Sequence, residues 1–388
     1  MKRFILVGVI YMTFIALGLP DALLGSAWNQ EQVDLDRSIG SIGLVTFVMY
    51  VMTILSTFLG PNLIARFHTK TITLVSVCLT GSALILMSQV QSFALLVALA
   101  VPLGLGAGAI DMSLNHYVAV KLKASHMSYL HSFYGIGVSS GPFVMAFALS
   151  LYTWRVGMII VGGLLLLIAL MIFLSLPVWP DETHDALDAL DISISRGRRA
   201  RGVRASVIIF TLAVHVESFM GIFVATYAFI GLGFSLSVSA LATFIFYLGL
   251  TLGRLTSGVL SERITPNAFI LAGESLMVVS ALGLFIPFQA VYMSMGLFFL
   301  IGFGSAPVYP NMMHMNTRNF KPNQVSRIIS LQMVIGYVGF GLITPLLGGV
   351  LDLISIDLYP WILVTGTSLL WMVTRWFMTQ HIPEGRKL

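Results

Sequence analysis

Charge is scarce in this chain. Only 10% of its 388 residues are Asp, Glu, Lys or Arg, where soluble domains carry about 25%, and this excludes a surface wetted on all sides. Cysteine is nearly missing: Cys78 stands alone, which excludes an intramolecular disulfide and a thiolate metal site. No His-Glu-x-x-His occurs, and the one Gly-x-Ser-x-Gly, Gly137-Val-Ser139-Ser-Gly141, lies inside an apolar helical run with no strand before it, so neither an intramembrane metalloprotease nor a serine hydrolase is indicated. Basic residues are not gathered on one face, so a sequence pI near 9.3 does not point to nucleic acid. What is abundant is apolar: 57% hydrophobic residues and a mean hydropathy of +0.93. Lipid must solvate most of this chain.

A helix crossing a hydrocarbon core of about 30 Å needs roughly 20 apolar residues. Charged and turn-forming breaks divide the sequence into twelve such runs, near 4–30, 38–64, 71–89, 92–120, 126–151, 156–178, 205–231, 238–261, 268–288, 291–316, 328–352 and 358–379. The first run follows Met1-Lys2-Arg3, is too long for a removed signal peptide and lacks a small-residue cleavage site. The expected fold is an all-α membrane bundle of twelve transmembrane helices.

Counting loops alternately, one side carries Lys2, Arg3, Arg66, Lys70, Lys121, Lys123, Arg196, Arg198, Arg199, Arg201, Arg204, Arg263, Arg318, Lys321, Arg327, Arg375, Arg386 and Lys387, and the other only Arg37 and Arg155. The positive-inside rule therefore places both termini in the cytoplasm. One polar break, residues 179–204, passes from Pro-Asp-Glu-Thr-His-Asp to Arg-Gly-Arg-Arg-Ala-Arg and reads as a cytoplasmic linker. It separates a six-helix half at 1–178 from a second at 205–388. Six spans per half make these parallel repeats, related by an axis along the membrane normal.

The two halves repeat one another in detail. Asp21 is followed four residues on by Gly25, and Glu217 by Gly221. Thr46-Phe47-Val48-Met49-Tyr50 returns as Thr243-Phe244-Ile245-Phe246-Tyr247, and Arg66 returns as Arg263 at the same offset. Each copy carries an acid within an apolar run, where a charge costs about 2.5–3.5 kcal/mol or more if it faces lipid. Such acids are expected to face a shared interior.

Asp21 follows Pro20, so the first helix should be distorted there, freeing carbonyls beside a carboxylate. A helix-end position in the outer leaflet is the competing reading. Asp111 and Asn115 lie one turn apart on one face of the fourth helix, as part of a site or as a buried structural hydrogen bond. His131, in the fifth helix, is at a similar depth to Asp111; histidine titrates near neutral pH, so the two form a candidate proton relay, with an ordinary polar contact as the alternative. Asp21, Asp111, Glu217 and His131 are thus candidates for proton coupling. Tyr50 and Tyr247 offer ring faces and hydroxyls, Gln332 matches His131 at nearly the repeat spacing, and Asn311 follows the twice-broken Gly302–Pro310 segment. With Asp21, Asn115 and Glu217, these four are candidate solute contacts.

Arg254 is the one base deep in a span, and a buried arginine keeps its charge and needs a partner. Glu274, at comparable depth in the ninth helix, is the expected one, in a structural or gating pair. Gly104, Gly106 and Gly108 lie in mid-span with no strand before them, so they form a helix-packing face and not a dinucleotide fingerprint. Gly137 and Gly141 sit four apart before Pro142, allowing close backbone approach where the proline loosens the helix.

Gly258-Val-Leu-Ser-Glu262-Arg263 resembles the Gly-x-Leu-Ala-Asp-Arg loop signature of the major facilitator superfamily. The first-half copy has Pro61 and Ala65 in place of the glycine and the acid, so a gating bridge is expected at Glu262 and Arg263. Asp111-x-x-x-Asn115, Leu130-His131, Gly137-x-x-x-Gly141-Pro142, Glu217, Gly253-Arg254 and Tyr309-Pro310 together are similar to the fucose-permease-like subgroup. That subgroup includes proton-coupled sugar symporters, which use an acid in helix one and another in helix four. Asp21 and Asp111 occupy those helices, although Asp111 is shorter than the usual glutamate. The Gly-Pro motif also resembles one associated with antiporters.

The resemblance implies alternating access with proton-coupled symport of a sugar or similar polar solute. It implies no cofactor and no metal, the proton gradient being the driving force. The expected partners are a small solute and the lipid bilayer, in a monomer of the plasma (inner) membrane. The alternatives are a proton-driven efflux antiporter of drugs or other amphipathic compounds and, in another class, a non-transporting membrane sensor.

Overall fold

A computed structural model describes residues 2–122, 124–180, 203–260, 264–286, 290–309, 311–312 and 322–381, and among them there is no strand. The first half holds α1 (Lys2–Gly18), α2 (Leu23–Asp34), α3 (Ile42–Met87), α4 (Phe93–Lys121), α5 (Ala124–Leu151) and α6 (Trp154–Ser175). The second holds α7 (Val203–Thr226), α8 (Leu236–Leu260), α9 (Pro266–Gly283), α10 (Val291–Ser305), α11 (Pro322–Leu353) and α12 (Tyr359–His381). Among the described residues, ten segments are long and apolar enough to cross a membrane, and the shorter apolar helices Val291–Ser305 and Gly341–Leu353 fall in the tenth and eleventh runs.

Two details differ from the twelve runs. The first span is two helices, α1 and α2, because Pro20 has no N–H to continue the ladder; the chain turns there through Asp21 N to Gly18 O and Leu23 N to Pro20 O. It also reaches Asp34, four residues past the expected end. The second and third spans are joined with no loop, as the two arms of α3, and the change of direction is made at His68 (φ 62°, ψ 152°). Elsewhere the boundaries have local causes. Ser92 caps α4 by accepting from Leu95 N, and Thr265 caps α9 from Ala268 N ahead of Pro266. Several hydroxyls inside the bundle bond back to the preceding turn, as Thr13 does to Val9 O and Thr53 to Met49 O, so these need no water.

Glycine sets the helix spacing. A Cβ on Gly104 or Gly108 would strike the carbonyl of Met49 or Thr53, and one on Gly106 would meet Ser76 O at 2.9 Å, so this string seats α4 against both arms of α3. Gly137 and Gly141 of α5 press against the Ile15 and Leu19 carbonyls at the end of α1. α5 runs unbroken through Pro142.

The halves meet in pairs that respect the repeat. α2 crosses α7, the image of the first span, where a Cβ on Gly25 would lie 2.9 Å from Gly221 O and where Asn29 Nδ2 donates to Ala225 O at 2.9 Å. The first arm of α3 packs on α11, with Gly43 against Pro345. Its counterpart is α8 on α5: Thr251 Oγ1 donates to Gly135 O at 3.0 Å, and the Phe143 and Phe244 rings lie 5.3 Å apart. These ties sit at mid-bundle or on the side away from the termini.

Candidate functional site

Between the halves lies a cavity of about 490 Å³. It is lined from the first span by Phe14, Leu17 and Asp21, from α3 by Met49, Tyr50 and Thr53, and from α4 by Ala107, Asp111 and Asn115. α5 adds His131 and Tyr134; α7 adds Phe210, Val214, Glu217, Ser218 and Ile222; Tyr247, Arg254, Tyr309 and Gly336 complete the wall. Of the candidates read from the sequence, Asp21, Tyr50, Asp111, Asn115, His131, Glu217, Tyr247 and Arg254 therefore converge on one space. The contacts between halves close it on the side away from the termini, while Asn115, His131 and Phe210 line it toward the termini.

Each acid in the wall is held differently. Asp21 sits in the turn opened by Pro20, and Tyr134 Oη donates to its Oδ2 at 2.6 Å. Gly18 permits this, since a Cβ there would crowd Tyr134 O and Val138 N. Asp111 Oδ1 accepts from Asn115 Nδ2 at 2.8 Å, one helical turn on, as their spacing requires. Glu217 Oε1 lies 3.3 Å from Arg254 Nη2, with side-chain exposures of 23% and 24%, and Ser305 Oγ approaches its Oε2 at 3.5 Å. The Arg254 guanidinium also stands 6.0 Å from the centre of the Tyr309 ring, within reach of a cation–π contact. The cavity thus holds one compensated acid in the second half and, among the described residues, two acids with no lysine or arginine partner in the first.

Several expectations need correction. Arg254 does not pair with Glu274: that acid is fully buried in α9, where its Oε1 accepts from Thr374 of α12 at 2.8 Å. Gln332 does not line the cavity, because its amide is turned onto Ser206, 3.2 Å from the carbonyl and 3.1 Å from the hydroxyl, tying α11 to α7. Asn311 is likewise outside the wall, donating to Ser257 Oγ at 3.2 Å and Pro307 O at 2.7 Å. His131 and Asp111 share the cavity but not a hydrogen bond; His131 lies edge-on to Phe14, with centroids 6.1 Å apart. Glu262 and Arg263 lie outside the described residues, as does most of the 179–204 linker.

Tyr134 and Glu31 are not among the candidates the sequence yields, although Tyr134 lies one turn beyond His131 on the same helix, and Tyr309 enters there only beside Pro310. Glu31 is fully buried in α2 outside the cavity, with no hydrogen bond to either oxygen among the described residues.

The sequence model of the Major Facilitator Superfamily matches residues 4–229 and 205–388. A crystal structure of a mutant of the nucleoside transporter NupG superposes with a TM-score of 0.74 at 13% identity, over 97% of this chain and 100% of that one. A bacterial homologue of the human lysosomal transporter Spinster, inward-facing and occupied, gives 0.70 at 13% identity, over 97% and 95%. At such identities the likeness is one of fold. No curated protein sequence matches the chain.

Proposed function

Because the chain belongs to the major facilitator superfamily of transporters, we propose that this multi-pass membrane protein is a secondary active transporter, carrying a small polar, sugar-like solute by proton-coupled symport and alternating access. The single observation behind this reading is the pair Asp21 and Asp111, two acids on one cavity wall with no lysine or arginine partner among the described residues. A charge moved through a low-dielectric barrier without compensation is costly, and a bound proton removes that cost. Asp21 is the coupling carboxylate, at the break in the first span where Tyr134 orients it. Tyr50, Tyr247, Asn115 and Ser218 supply hydroxyl and amide groups for the solute, and the aromatic rings supply faces for its apolar side. Rocking of the two halves about the α2–α7 crossing exposes the site to each side in turn. On this reading the protein is a monomer of the plasma membrane with both termini cytoplasmic.

The apolar part of the wall, Phe14, Leu17, Met49, Phe210, Val214 and Ile222, favours one rival: proton-driven efflux of amphipathic compounds.

The test is purified protein in proteoliposomes with a panel of hexoses and pentoses. Alkalinisation of the outer medium on adding a sugar supports symport, and Asp21→Asn should then lose active uptake. Proton release toward the side from which an amphipathic cation is taken would replace symport by antiport. Absence of flux with every solute would remove the reading.

A further inference from the structure

The wall of the cavity already seats one cation. Arg254 lies against a carboxylate, Glu217 at 3.3 Å, and over a tyrosine ring, Tyr309 at 6.0 Å. Among the described residues, the first half presents an acid with no lysine or arginine beside it. Asp111 Oδ1 is engaged by Asn115, and its other oxygen takes no hydrogen bond among the described residues. Asp111 is partly exposed within a wall that also carries the rings of Phe14, Tyr50 and Phe210. An ammonium group suits such a place, since it is attracted both by a carboxylate and by ring faces.

Charge balance narrows the choice. Among the described lining residues, with the His131 imidazole uncharged, Glu217 and Arg254 cancel, which leaves Asp21 and Asp111 as two negative charges that must be compensated before the loaded cavity closes. A proton on Asp21 and one positive charge on the solute bring the sum to zero. A neutral solute would need a second proton, and an anionic solute a third. Resting on the symport reading above, we propose that the solute carries one protonated amine on a hydroxylated body, an amino sugar being the simplest form, with the ammonium on Asp111 and the coupling proton on Asp21.

The experiment uses the full chain in proteoliposomes under an imposed pH gradient, with labelled D-glucosamine, N-acetyl-D-glucosamine and D-glucose. The first carries the amine, the second masks it, and the third lacks it. Initial uptake of glucosamine should exceed that of the other two by about tenfold or more, as expected for one charge-assisted contact. Asp111→Asn should abolish that preference, and Asp111→Glu, which keeps the charge, should retain it. Equal or better uptake of the two neutral sugars, or a preference that survives in Asp111→Asn, overturns the amine site and leaves symport standing. No gradient-driven uptake of any of the three by monodisperse wild-type protein overturns the amine site, and the full hexose and pentose panel then decides symport separately.

Discussion

Arg254 meets Glu217 at 3.3 Å, from α8 to α7 across the wall of the central cavity. Deleting one member of a pair leaves the other charge stranded, and the cost grows with burial. With about a quarter of each side chain exposed, about 1–3 kcal/mol is expected, between the exposed and the buried limits. Arg254→Gln should therefore lower the melting temperature, and the double variant Arg254→Gln with Glu217→Gln should recover part of the loss, because neither charge is then left alone. A thermal-stability cycle in detergent measures this. Strict additivity of the two single changes would mean that the pair contributes nothing.

Tyr134 holds Asp21 through a 2.6 Å hydrogen bond. Bonds to a charged acceptor contribute about 1.5–3 kcal/mol, so Tyr134→Phe should slow uptake driven by a pH gradient by about tenfold or more. Exchange of labelled for unlabelled solute needs no turnover of the coupling proton and should fall much less. Equal loss of both activities would assign Tyr134 to solute binding or to folding and not to coupling.

How far the sequence carried the site depended on what each signal measures. Pro20 predicted the break in the first span, because a missing N–H acts locally, and the acids pointed inward, because lipid exposure is costly wherever it occurs. The partner of Arg254 was chosen by depth alone. Depth ranks candidates along the membrane normal but says nothing of helix rotation, and rotation turns Glu274 to Thr374 and leaves Glu217 facing the arginine. Gln332 fell near the repeat position of His131, yet Ser206 takes its amide, a contact between helices far apart in the chain. Glu31 was illegible for a related reason: beside Asn29, Gln30, Gln32 and Asp34 it reads as the polar end of a span, and only the packing of α2 encloses it.

The place of Gln332 makes a further prediction. Gln332→Ala removes two hydrogen bonds to Ser206 from a fully buried position, at a cost of about 1–3 kcal/mol. Thermal stability should drop while the KM for the transported solute stays within about twofold, since uniform binding is untouched. Asn115→Ala, in the cavity wall, should do the reverse and raise KM. A large rise in KM for Gln332→Ala would return that residue to the solute site.

The crossing of α2 and α7 joins the two halves on the side of the cavity away from the termini. Gly25 lies against the Gly221 and Ile222 carbonyls, both 2.9 Å from where its Cβ would be, and Asn29 Nδ2 donates to Ala225 O at 2.9 Å. Asn29→Ala withdraws that donor from a buried carbonyl, and Gly25→Ala forces the backbones apart, so both act against the arrangement closed away from the termini. A loss of about 1–2 kcal/mol, typical of one buried hydrogen bond, shifts the equilibrium toward opening on that side by roughly five- to thirtyfold. Ala107 lines the cavity and can report this as Ala107→Cys in a Cys78→Ser background. A membrane-impermeant maleimide added on the face away from the termini should label Ala107→Cys slowly alone and faster by that factor when combined with Asn29→Ala or with Gly25→Ala. An unchanged labelling rate in both combined variants would show that the closure rests on the α3–α11 and α5–α8 contacts instead.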